Sequence, residues 1–366
     1  MEKRHFVVSR SIAGILLTWL PLLFLSLEQG LGYGTGVKIP FLKDFSVNVR
    51  FLLSLPLLIA SETGIDRQIR LTVTHFIKCG LVPEREIPAF ESVLMKASRL
   101  RDRVLPEIVM LAIAYLPSVS SRSHEILMTG VSNWHTVLTP AGETLSHAGW
   151  WFGLVSAPIF RLLLLRWLWR MLLWAWLLWR ISRLNLVLIP THPDGAAGLG
   201  FLTEAQLRFG SIAFAGSAVI AAQVGNAIAY EGATLSSLKL VILSYCVFII
   251  ILLLSPLLLM IPTLYRVRKQ GLLEYGVLAS DYARMFDAKW IHGRRPEKEG
   301  LLGSADIQSL ADLNNSFSIV REMRIMPIDK RTLLGLAIGA VLPMVPVLIL
   351  ATPAEDLLRT VFRLLG

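Results

Sequence analysis

Val241–Ile261 reads VILSYCVFIIILLLSPLLLMI and contains no charged residue. A helix rises about 1.5 Å per residue, so this run spans the roughly 30 Å hydrocarbon layer of a bilayer. A soluble core does not call for so long an apolar run, and in lipid only a helix satisfies its own backbone across one. The rest of the chain agrees. Charged residues make up 17% of it, against about 25% in ordinary soluble domains. Working outward, apolar runs place spans near Val7–Leu27, Val49–Thr63, Val104–Val119, Trp150–Arg170, Phe209–Tyr230, Leu238–Leu264 and Thr332–Ala351. The expected fold is an all-α, polytopic transmembrane helical bundle of about seven spans with cytoplasmic helical segments. The second and third runs are short for a crossing, so either could be re-entrant.

Charge orients this topology. Residues 1–63 hold the first two membrane helices and 64–103 a cytoplasmic helical segment. Residues 104–264 hold helices three to six, with an external loop at 120–149 and a cytoplasmic elbow at 184–203. Residues 265–331 form a cytoplasmic helical hairpin, and 332–366 the last helix and an external tail. With the N-terminus inside and the C-terminus outside, the internal pieces Met1–Arg10, Gly64–Arg103, Arg180–Arg208 and Tyr265–Arg331 carry 26 Lys and Arg, and the external pieces Glu28–Asn48, Ser120–Gly149, Glu231–Ser237 and Thr352–Gly366 carry 5, as the positive-inside rule requires. The net charge of +10 then points to anionic lipid headgroups as partners. No nucleic-acid motif is present. Cys79 and Cys246 are the only cysteines, too few for a disulfide framework or a cysteine metal site. No metal or cofactor is expected. Ser26–Gly30 is a poor signal-peptide cleavage site, so the first apolar run is expected to stay as a helix.

In the cytoplasmic segments, Ile87–Arg103 puts Phe90, Leu94 and Ala97 on one helical side. Asp281–Trp290 and Ala305–Arg324 read as a hairpin, with Ser304 as helix cap and Asp306 in the first turn. These helices are expected to pack on one another, on a cytoplasmic protein partner or on a second copy. KCGLV (78–82) echoes KQGLL (269–273), and LAI…LP recurs at 111–117 and 336–343. Chance similarity between apolar helices is the simpler account of both.

Chemistry concentrates in two places. Arg161 lies about 16 Å below the Trp150–Trp151 pair, near the bilayer midplane. Lipid exposure there costs at least about 2.5 kcal/mol, so it should face protein or a wet cavity. Arg166 and Arg170 lie lower and can snorkel to headgroups. On the fifth span Gln223, Asn226 and Tyr230 share a face and could line a solute path with Arg161 or bond between helices. Ala213, Ser217, Ala221, Gly225 and Ala229 form a small-residue stripe for close helix approach. Pro343 and Pro346 should break the last span. The second place is the elbow Thr191-His192-Pro193-Asp194-Gly195-Ala196-Ala197-Gly198-Leu199-Gly200, a tight turn followed by a Thr203–Gln206 capping box. Its backbone N–H groups could hold an anion, and His192 with Asp194 could do acid–base work. A rigid structural elbow is the plainer reading.

THPDGAAGLGFL and LLGSADIQSLADLNNSF resemble segments of a family of uncharacterised bacterial multi-pass inner-membrane proteins. The resemblance implies a bacterial cytoplasmic membrane and carries no activity or functional residue. The leading expectation is therefore a channel or transporter for a small anionic or polar solute. A membrane scaffold or assembly factor presenting cytoplasmic helices is the alternative. An enzyme at the elbow ranks third, because one His and one Asp make a weak constellation.

Overall fold

The structure, a computed structural model, describes residues 2–119, 132–140, 142–293 and 305–351. It is an all-α bundle. Helices α1 (Glu2–Thr18) and α2 (Leu20–Glu28) meet at Trp19, where Pro21 enters the first turn of α2. Helix α3 (Phe45–Asn48), a π-helical turn (Val49–Ser54) and α4 (Leu55–Lys78) run on as one helix. Helices α5 (Ile87–Arg101) and α6 (Val104–Val119) follow. A small antiparallel hairpin, β1 (Thr136–Thr139) and β2 (Gly142–Leu145), pairs Thr136 with Leu145. Then α7 (His147–Trp151), a second π-helical turn (Phe152–Ser156) and α8 (Ala157–Ile181) again form one helix. Helices α9 (Leu202–Arg208), α10 (Gly210–Tyr230), α11 (Leu235–Leu258), α12 (Ile261–Trp290) and α13 (Ala305–Glu322) come next. The last crossing is α14 (Lys330–Val341), a 3-10 turn (Leu342–Met344) and α15 (Val345–Ala351). Pro343 and Pro346 cause that break, as expected.

Six of these helical runs are long and apolar enough to cross a bilayer. Only 28% of the most apolar stretch of α11 is buried within the protein, and Leu240, Leu243, Phe248 and Ile251 point outward. So much exposed apolar surface requires lipid. The protein is a multi-pass membrane protein.

The connecting segments gather at two ends. At one, Ile39 pairs with Asn133 and Phe45 N donates to Asn226 Oδ1 at 3.0 Å. At the other, basic end, Val187 N donates to Leu81 O, and Arg324 N to Gly195 O. The chain passes from Arg101 at the basic end to Ser132 at the opposite one. Helix α6 is apolar too but shorter than those six runs.

Several local expectations are corrected. The second span does not stop at Thr63; its helix continues to Lys78 and the fourth continues to Ile181. The Thr203 capping box does not form: Thr203 Oγ1 donates to Gly200 O and Gln206 Nε2 bonds Leu253 O inside the bundle. The KCGLV and KQGLL echo dissolves, since Gly80 ends α4 with a positive φ while Gly271 lies within α12. Ser304 lies outside the described residues.

Two features shape the interior. Asp44 caps α3 and Ser146 caps α7, each through a backbone N–H three residues on. Both helices then widen into a π turn ending in Ser54 or Ser156, and Pro56 and Pro158 follow at equal distances from the caps. Helices α10 and α14 approach each other backbone to backbone. A Cβ on Gly339 would lie 2.8 Å from Gly210 O and 3.6 Å from Gly210 Cα. Gly335 and Gly339, one turn apart, thus supply small residues on α14, set against Leu207 and Gly210, as close helix packing in a membrane favours.

Candidate functional site

A cavity of about 980 Å³ opens within the bundle toward the end opposite the basic one. Arg161, Gln223 and Asn226 all line it; Tyr230 does not, and its hydroxyl instead donates to Lys43 O. Arg161 Nη1 donates to Ala114 O at 3.2 Å and Ser118 Oγ at 3.0 Å, tying α8 to α6. Asn226 uses its amide between helices: Nδ2 donates to Asp44 Oδ1 at 2.7 Å while Oδ1 accepts from Phe45 N. Gln223 is the member of the predicted face left pointing into the cavity.

The cavity also contains residues that sequence reasoning passed over. Arg50 lies in the first π turn and lines the cavity. Its Nη2 donates to Ser46 Oγ at 3.3 Å, and Nε is enclosed without a partner among the described residues. The guanidinium stands over the rings of Phe152 and Phe160, at 5.8 and 5.7 Å. Asp44 is held by neutral donors: Trp134 Nε1 at 2.9 Å, Asn226 Nδ2 and Val47 N. His135 stacks on Trp134 with ring centroids 3.7 Å apart, and its Nε2 is enclosed without a partner among the described residues. Burial, reinforced by the charge of Arg50 and opposed by Asp44, pushes the His135 imidazole down to about 4. It is neutral at pH 7. Glu231 sits at the exposed rim.

Arg170 behaves differently from Arg161. Rather than snorkelling, it bonds Glu62 at 3.0 Å and Asp66 at 2.7 Å, and Arg10 joins Glu62 at 3.1 Å. This network ties α1, α4 and α8 together toward the basic end. Neither Arg50 nor Arg161 has such a carboxylate partner among the described residues.

The elbow proves self-contained. Asp194 Oδ1 accepts from Ala196 N at 2.8 Å and Gly198 N at 3.1 Å, and Oδ2 from Gly200 N at 2.7 Å. The backbone N–H groups that could have held an anion are thus occupied by the loop's own carboxylate, which corrects that reading. Burial alone would raise the Asp194 carboxyl; these three N–H groups and His192, 2.9 Å away, hold it below its ordinary value. Gly195 and Gly198 take positive φ, and Arg324 Nη2 clamps Asp194 O at 2.6 Å. Thr191 Oγ1 meets the Tyr275 hydroxyl at 3.3 Å, so the elbow docks the segment from α12 to α14 onto the bundle. His75, Cys79 and His192 border a smaller cavity of about 300 Å³ beside it. Among the described residues no group of three His, Cys, Asp or Glu is placed to hold a metal.

No known protein family, curated protein or solved structure matches the chain.

Proposed function

We propose that the protein is a channel or transporter for a small anionic solute, with the cavity between Arg50 and Arg161 as its solute site. One observation carries this reading: two guanidiniums line one cavity inside the bundle and neither is in a direct ion pair among the described residues, Asp44 acting on Arg50 only through space. A cation in a partly desolvated site attracts an anion far more strongly than it would in water. Intramembrane charges generally mark solute pathways. Two π turns border the same cavity, and such turns gather at functional sites. The test is uptake of acetate and of phosphate into proteoliposomes at matched protein levels. Arg50→Gln and Arg161→Gln should each lower uptake of the transported anion at least tenfold, while Arg161→Lys retains part of it because a point charge remains. Undiminished uptake in both Gln variants would sink the proposal.

The same proposal places the chain in a bacterial cytoplasmic membrane with the basic end inside. The charge asymmetry supports this orientation. Exposed Cys79 at the basic end provides a native probe. An impermeant maleimide should label it only after cells are permeabilised, whereas Thr144→Cys in a Cys79→Ser background should react in intact cells. The reverse pattern would invert the topology.

A second reading, as a scaffold, draws support from α12. Leu273, Val277 and Met285 on that helix are exposed well beyond its membrane end, as a protein partner or second copy would require.

A further inference from the structure

We infer that the cavity takes an amphipathic organic anion, with an oxyanion head at Arg50 and Arg161 and an aliphatic body along Phe152, Phe160, Leu154 and Leu164. The inference rests on the anion-site reading and narrows its substrate class. Size is the first argument. A cavity of about 980 Å³ matches the upper range for organic ligands and exceeds by many-fold the roughly 30 Å³ that one water occupies in the liquid. A bare inorganic ion would leave most of it filled with water. Chemistry is the second. Besides Arg50 and Arg161 the lining carries Asp44 and, at the rim, Glu231, and Phe152, Leu154, Phe160 and Leu164 give the same cavity apolar wall. A hydrated ion gains nothing from Phe160 or Leu164, whereas an alkyl chain does. Geometry is the third. Phe152 and Phe160 flank the Arg50 guanidinium itself, so a head bound there directs its substituent onto apolar surface. A carboxylate or a phosphate monoester suits the planar fork of arginine. The same chemistry occurs in a free organic acid and in the headgroup of an anionic lipid.

The full chain in phosphatidylcholine nanodiscs, followed through its tryptophan fluorescence, tests this with acetate, hexanoate and hexanol. Each methylene buried on an apolar wall strengthens binding by up to about fourfold. Hexanoate should therefore bind at least about tenfold more tightly than acetate, and hexanol far more weakly than hexanoate. Phe160→Ala or, if that variant misfolds, Leu164→Ser should erase most of the advantage of hexanoate over acetate. Arg50→Gln with Arg161→Gln should abolish binding of both acids. Adding phosphatidylglycerol to the nanodiscs separates the sources. Competition with hexanoate supports the inference with a lipid as ligand, and unchanged hexanoate binding supports it with a free acid. Acetate binding as tightly as hexanoate would overturn the amphipathic inference and leave the anion site standing. Hexanol binding as tightly as hexanoate, or no binding of either acid, would overturn both.

Discussion

Asp194→Ala is expected to destabilise the folded protein by about 3–5 kcal/mol, because three loop N–H groups lose their acceptor at once. The side chain is only 22% exposed, so water replaces the carboxylate incompletely. Asp194→Asn should cost roughly half as much, since one oxygen remains to accept from Ala196 and Gly198 while Gly200 N loses its partner. The pH dependence has a definite sign. A carboxyl whose folded value is depressed contributes stability above its unfolded value near 4 and loses it as pH falls through the folded value. The wild-type protein should therefore show an acid-side loss of stability that is smaller in the Asn variant. Thermal unfolding of the full chain in detergent, scanned across pH, reads both effects. An Asp194→Ala protein as stable as wild type would mean that water serves those amides. Function should suffer as well if the elbow gives way, because Arg324 and Tyr275 use it to hold the segment from α12 to α14 against the bundle.

Gly339→Leu should be as damaging by a different route. A Cβ at this position meets the backbone of Gly210, which has no side chain to move aside. The two helices must separate, and overpacking of this kind costs about 1–3 kcal/mol, more where a whole helix face is displaced. Gly335→Ala should be milder, because its added Cβ meets only the movable end of the Leu207 side chain. Gly210→Ala should be milder still, with its nearest neighbours at 3.7 and 3.9 Å. The three variants are thus ranked before any measurement, and detergent-melt midpoints in the opposite order would refute the packing argument.

The bundle could be read from the chain because lipid imposes a one-dimensional rule: long apolar runs cross and basic residues collect at one end. Arg161 was visible by the same rule, as a charge too deep to reach either interface. Arg50 was not. It stands second in the apolar run that starts at Val49, whereas the helix begins at Phe45 and sets Arg50 over Phe152 and Phe160. Asp44 and His135 were hidden for another reason. Their environment comes from contacts between segments far apart in sequence, such as Trp134 with Asp44, and no local pattern encodes them. The elbow was recognised as a turn, yet the direction of its N–H groups depended on where Asp194 folded. Arg170 finds Glu62 and Asp66 on α4, one in the last turn of the second apolar run and one beyond it, a pairing between distant segments that no local pattern encodes.

The two π turns bear on how this protein is matched to any distant relative. Each carries one residue more than an α-helical turn needs, and one residue is worth about 100° of rotation about the helix axis. In a cousin lacking the insertion at Val49–Ser54 or Phe152–Ser156, all that follows would face another direction. An ungapped alignment would then equate Arg161 with a residue pointing at lipid. A single-residue gap inside a membrane helix, ordinarily penalised as an error, is here the correct placement. Its presence or absence would sort descendants that kept the charged chamber from those that closed it.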